Sequence, residues 1–198
     1  MNWNNLKEIK YPIIIKPARL GSSIGIKKVD SYLDLEKELD YAFRFDSKLI
    51  IQPYISEFKE FNQAAYIYKD EVILSNVEEV FKKDEILSFD DKYIKDTNTN
   101  HRLISDENII NRISKITKEI YTKLELSGIV RIDYMYFDDT VYVNEINTIP
   151  GSLAYYLFDE SIESLLDKQR ENSLFEFQNK RITTFNTNVL HKKYRYKK

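Results

Sequence analysis

The sequence predicts an α+β protein built on antiparallel hairpins, and three observations carry that expectation. Short apolar or alternating runs bounded by turn residues recur at 12–16, 61–68, 71–80, 128–137 and 140–146, as strands do. Two pairs of these runs are separated by only Lys69-Asp70 and Asp138-Asp139, which is hairpin spacing. Between them, Leu35, Leu39, Ala42 and Phe43, and later Ile109, Ile110, Ile113, Ile116, Ile120, Tyr121 and Leu124, fall at helical spacing.

Taken in order, residues 12–16 read as a buried strand and 24–29 as its hairpin partner across a glycine loop. Asp30 or Ser31 caps the first helix, which ends near Asp46. A strand at 48–52 stops at Pro53, and the hairpin 61–68/71–80 completes one unit of about residues 11–80. The polar stretch 82–100 has no clean period and has the length of a functional loop. Ser105 caps the second helix, whose apolar stripe needs the hairpin 128–137/140–146 beneath it. A last helix at 161–176, a strand-like piece near 182–185 and a basic solvated tail at 191–198 follow. The expected division is 1–80, 81–190 and 191–198.

At 198 residues, 42% hydrophobic and 31% charged, the chain has the composition of one or two soluble globular domains. A net charge of −2 argues against a nucleic-acid binder, and the absence of cysteine excludes disulfides and thiolate metal sites. No long apolar run or signal-like start is present, so no membrane partner is expected and the default compartment is the cytoplasm.

Chemistry concentrates in two places. In YPIIIKPARLGSSIGI, Lys16 ends an apolar run, and two of the chain's four glycines, Gly21 and Gly25, bracket the loop beyond it. That concentration implies close approach of backbone to a ligand. In RIDYMY, Arg131 and Asp133 share a strand face, and in VNEINTIPG so do Glu145 and Asn147. Aligned across a hairpin, Asp133, Glu145 and Asn147 are hard oxygen ligands suited to Mg²⁺ that bridges substrate phosphates. The competing readings are an exposed polar hairpin face with Arg131 in cross-strand ion pairs, and Lys16 as the charged end of an edge strand. Lys92, Tyr93 and Glu60 have plain loop or strand-start readings as well. No Gly-x-x-x-x-Gly-Lys loop, Rossmann fingerprint or serine nucleophile elbow occurs.

The ordered set IIIKPARLGSSIGI, LIIQPYI, KEF, FDDKYI, SGIVRIDYMY and VNEINTIPGS resembles the C-terminal part of D-alanine–D-alanine ligases, over about residues 11–158. The resemblance implies a partial ATP-grasp fold, with two α+β subdomains sandwiching the nucleotide. It also implies an ATP-dependent ligase that forms a peptide bond through an acyl phosphate, in peptidoglycan precursor synthesis. Lys16, Ser22 and Ser23 are then expected at the phosphates, and Gln52 at the adenine, in place of the family's usual acid. Tyr54 and Ile55 line the base, Glu60 holds the ribose, and Lys92 and Tyr93 lie on a mobile covering loop. Asp133, Glu145 and Asn147 are the expected ligands of Mg²⁺, or of Mn²⁺ in its place. Arg131 and the Gly151 N–H stabilise the oxyanion, with Ser22 and Tyr93 as further catalytic groups.

Tyr156 stands near the position where the family offers a small hydroxyl to the acceptor carboxylate, so the acceptor is D-alanine or another amino acid. The resemblance implies that the family's N-terminal domain is not among these residues, and an isolated chain is then not expected to turn over. A homodimer, or a partner chain supplying that domain, is expected. The alternative is a nucleotide-binding remnant that serves as a binding module.

Overall fold

The computed structural model describes residues 4–21, 23–81 and 100–179, arranged on two antiparallel sheets. The first has the strand order β2-β1-β3, where β1 is Ile13–Pro17, β2 Lys27–Val29 and β3 Leu49–Pro53. Burial alternates along β1, so Ile13 and Ile15 pack with Val29 against Leu35, Leu39 and Ala42 of helix α1, Tyr32–Ala42. Ile14 and Lys16 face the other way. Ser31 is the N-cap as expected, though its hydroxyl donates to Asp34 Oδ2 (2.7 Å).

The second sheet has the order β6-β5-β4-β7-β8, with β4 Lys59–Tyr68, β5 Glu71–Phe81, β6 Asn100–Leu103, β7 Val130–Phe137 and β8 Thr140–Asn147. Helix α2, Glu107–Lys123, lays Ile109, Ile113 and Tyr121 on Phe61, Ala65, Val77, Ile132 and Tyr134 of one face. Inside that interface the Thr117 hydroxyl lies 2.7 Å from Gln63 Oε1 and 2.6 Å from the Tyr134 hydroxyl. Bonded in this way, the buried polar atoms fix helix against sheet. On the other face, a 3₁₀ turn, Gly151–Leu157, and helix α3, Ile162–Asn179, cover one end by packing Ala154, Leu157 and Leu165 on Ala64 and Tyr66.

Several expectations change. The hairpin β4–β5 was expected in the first unit, but it pairs with β7 and belongs to the second sheet. Alternation shows that a strand has an apolar face and not which sheet receives it. The cap of α2 is Asp106, which accepts from the N–H groups of Asn108 and Ile109, and not Ser105. The strand β6 and the 3₁₀ turn were not foreseen. Residues 82–99, the piece near 182–185 and the basic tail lie outside the described residues. No described helix is long and apolar enough to cross a membrane.

Candidate functional site

The alternation that buries Phe61, Gln63 and Ile132 under α2 leaves Glu60, Asn62, Arg131 and Asp133 on the opposite face of the sheet. Strand register then builds a polar row across four strands. Glu78 stands opposite Asn62, Asn62 opposite Asp133, and Asp133 opposite Glu145. In the next row Arg131 stands opposite Asn147. A bulge in β8 leaves Asn144 without a partner in the ladder and turns both Asn144 and Glu145 into the same cleft.

That cleft, about 180 Å³, lies between the polar row and the Ile14–Lys16 face of the first sheet. Lys16, Gly21 and Ser23 line it from the glycine loop side, and Gln52, Tyr54 and Ile55 from β3 and the segment after it. Glu60, Asp133 and Glu145 line it from the second sheet. Ile14, Ile26, Phe58 and Met135 add apolar walls, the usual make-up of a small-molecule site. Asn147 lies in an adjoining hollow shared with Lys16, Arg19 and Glu145.

Arg131 grips Asp133 with both ends of its fork, Nε to Oδ1 at 2.7 Å and Nη2 to Oδ2 at 2.9 Å. Asn147 Nδ2 donates to the same Oδ2 at 3.0 Å. Burial raises the Asp133 carboxyl above its ordinary value, Arg131 opposes this, and Glu60 and Glu145 add to it. For Arg131, burial pulls the guanidinium down, but Asp133 outweighs it and the net shift is upward. Burial likewise lowers the Lys16 ammonium, against the opposing pull of Glu145.

These positions decide two open readings. Lys16 lies in the central strand of its sheet, so it does not guard an edge. Asp133 is 7% exposed and is gripped by Arg131 from two residues away on its own strand, so Arg131 is not spent in a cross-strand ion pair, while Glu145 at the end of the row is exposed. Tyr156 reaches back over the sheet, its hydroxyl 3.1 Å from Glu78 Oε1. Gly151 opens the 3₁₀ turn that carries Tyr156 there. Ser22, Lys92 and Tyr93 lie outside the described residues.

Among the described residues, no three carboxylate or imidazole side chains converge closely enough to hold an ion by themselves. The oxygens of Asp133 and Glu145, with the amide of Asn147 beside them, suit a hard cation that completes its shell from phosphate and water. Sequence reasoning missed Glu78, Asn62 and Asp46. The signal for Glu78 was legible: Glu78-Glu79 interrupts an apolar strand, and adjacent residues on a strand cannot both face solvent when one face is buried.

The family model described as "D-ala D-ala ligase C-terminus" matches residues 2–165. A "D-alanine--D-alanine ligase" of Thermosipho melanesiensis is 39% identical over 191 residues, 93% of this chain and 52% of that protein. The crystal structure of D-Alanine-D-Alanine Ligase from Helicobacter pylori is similar with a TM-score of 0.67 at 33% identity, covering 85% of this chain and 51% of the other. That of D-alanine--D-Alanine Ligase from Bacillus anthracis complexed with ATP has a TM-score of 0.66 at 26% identity, covering 90% and 58%. The chain spans about half the length of the curated relatives it matches.

Proposed function

The chain belongs to the D-ala D-ala ligase C-terminal family, and from that we propose that it carries the nucleotide-binding and catalytic half of an ATP-dependent carboxylate–amine ligase. The supporting observation is the pairing of Lys16 on one sheet with Asp133 and Glu145 on the other, across one cleft. Two carboxylates facing a half-buried ammonium suit a polyphosphate, which can satisfy both charges at once through a shared cation.

In this reading the Lys16 ammonium and the glycine loop hold the phosphates, and the apolar walls with Gln52 hold the base. Glu60 receives the ribose. Asp133, Glu145 and Asn147 would hold Mg²⁺, which supplies neutralisation of phosphate charge. The donor carboxylate oxygen attacks the γ-phosphorus, the bond to ADP breaks, and an acyl phosphate forms. The acceptor amine then attacks the acyl carbon, loses a proton, and phosphate leaves. Arg131, always charged and planar, stabilises the oxyanion with the Gly151 N–H. Ser22, Lys92 and Tyr93 join the phosphate loop and the cover over the site, which excludes water from the acyl phosphate. The first sheet is the nucleotide-covering part and the second the catalytic part, in a cytoplasmic enzyme making a D-alanine dipeptide or a close analogue. A homodimer, or a chain supplying the rest of the ligase, is the proposed partner.

The test is phosphate release from ATP with Mg²⁺ and D-alanine, by this chain alone and by this chain fused behind the N-terminal half of the Thermosipho relative. Release that depends on D-alanine in the fusion is the expected result. Its absence from both, with the fold intact, would refute turnover and leave a nucleotide-binding module.

A further inference from the structure

Two glutamates stand side by side in β5, one on each face. Glu79 is held by Arg102 (3.1 Å) and Lys59 (3.7 Å), an ordinary partly buried ion pair. Glu78 is different. It is 2% exposed, it ends the polar row of the site, and its Oε1 accepts from both Asn62 Nδ2 (2.9 Å) and the Tyr156 hydroxyl (3.1 Å). A carboxylate is costly to bury, so a contact that only filled space would be better served by a neutral side chain.

The phenol that Glu78 holds comes from the turn after Pro150-Gly151 and also lies against the Arg131 guanidinium. Three residues of that turn, Ser152, Leu153 and Ala154, have left-handed backbone, with φ of 50°, 51° and 49°. Non-glycine residues hold such a conformation only where surrounding contacts fix it. Here the contacts are the packing of Ala154 and Leu157 on one side and the Glu78–Tyr156 bond on the other.

We infer that Glu78 is a positioning residue of the acceptor side of the site. By holding the Tyr156 phenol beside Arg131, it sets where the guanidinium lies and how much room a small D-amino acid finds next to the Pro150-Gly151 turn. The word acceptor rests on the ligase reading; the contact itself does not.

The test therefore has two parts. In this chain labelled with tyrosine ¹³Cζ, Glu78→Gln moves the Tyr156 resonance, assigned with Tyr156→Phe, and the Arg131 Nε–H resonance with it, while Tyr134 stays in place. In the active fusion, Glu78→Gln lowers kcat/KM for the acceptor about tenfold or more and leaves KM for ATP within about twofold. Added to Tyr156→Phe, it has little further effect. An unmoved Tyr156 resonance overturns the inference, and so does a loss shared equally by ATP and acceptor. Additive losses overturn it as well, because Glu78 would then act by another route. Should Glu78→Gln perturb folding, Tyr156→Phe removes the same bond from the turn side and must reproduce the acceptor-specific loss. If no fusion turns over, the ligase reading fails while the resonance test still decides the contact.

Discussion

Asp46 sits at the root of the glycine loop. Its buried carboxylate accepts from the Arg19 N–H (2.9 Å), the Arg19 guanidinium and the Lys48 N–H (3.0 Å). The Arg19 bond first, and then the Lys48 N–H, hold the carboxyl down at about 2 from an ordinary 3.8. A group whose folded value is depressed adds stability above its unfolded value and loses it as pH falls through the folded one. Asp46→Asn should therefore lower Tm at neutral pH, and the gap to wild type should close between about pH 3.8 and pH 2. A gap that stays constant over that range would show that the contact acts without its charge. The Tyr156 ring lies beside Arg131, where a serine would leave space. In an active fusion, Tyr156→Ser should change the ratio of kcat/KM among acceptors severalfold while KM for ATP stays fixed. Fixed acceptor ratios with collapsed ATP handling would move Tyr156 into the nucleotide pocket.

Among the elements, the glycine loop is pinned at Gly25. Gly25 has φ +73°, and a Cβ there would stand 2.9 Å from Pro17 Cγ and 3.0 Å from Phe45 Cδ2. Gly25→Ala should cost about 2 kcal/mol or more in urea unfolding, from left-handed strain plus the clash. It should also weaken nucleotide binding, because the same loop lines the cleft through Gly21 and Ser23. An alanine variant as stable as wild type would mean that the loop gives way freely. Helix α2 offers a milder comparison: Asp106→Ala removes a cap that satisfies two N–H groups, and about 1 kcal/mol of loss is expected with nucleotide binding unchanged.

At the scale of the whole molecule, the two sheets meet across one cleft, and in the proposed reading a single ligand spans it. Lys16 is carried by the first and Glu145 by the second, so Mg·ATP should couple them. At a ligand concentration 100-fold above Kd the coupling is about 2.7 kcal/mol, read as a rise in Tm. Lys16→Met and Glu145→Gln should each remove most of that rise while leaving the Tm of the free chain nearly unchanged. Calorimetry at millimolar ligand that detects no Mg²⁺-dependent binding to wild type would sink the phosphate reading of the cleft.

The strands other than β6, the two helical stripes, both tight turns and the Lys16 and Arg131–Asp133–Glu145–Asn147 motifs were legible in the sequence, because they depend on local periodicity and on residue types at short spacing. Period two alone put Arg131 with Asp133, and Glu145 with Asn147, on common faces, and the register agreed. Local pattern could not say that β4–β5 joins β7, that β1 is central, or that a bulge turns Asn144 inward beside Glu145. Nor could it join Glu78 to Tyr156, 78 residues apart. Such pairings are chosen by which apolar faces bury one another, a property of the assembled core, and a side chain's neighbours across sheets exist only once that choice has been made.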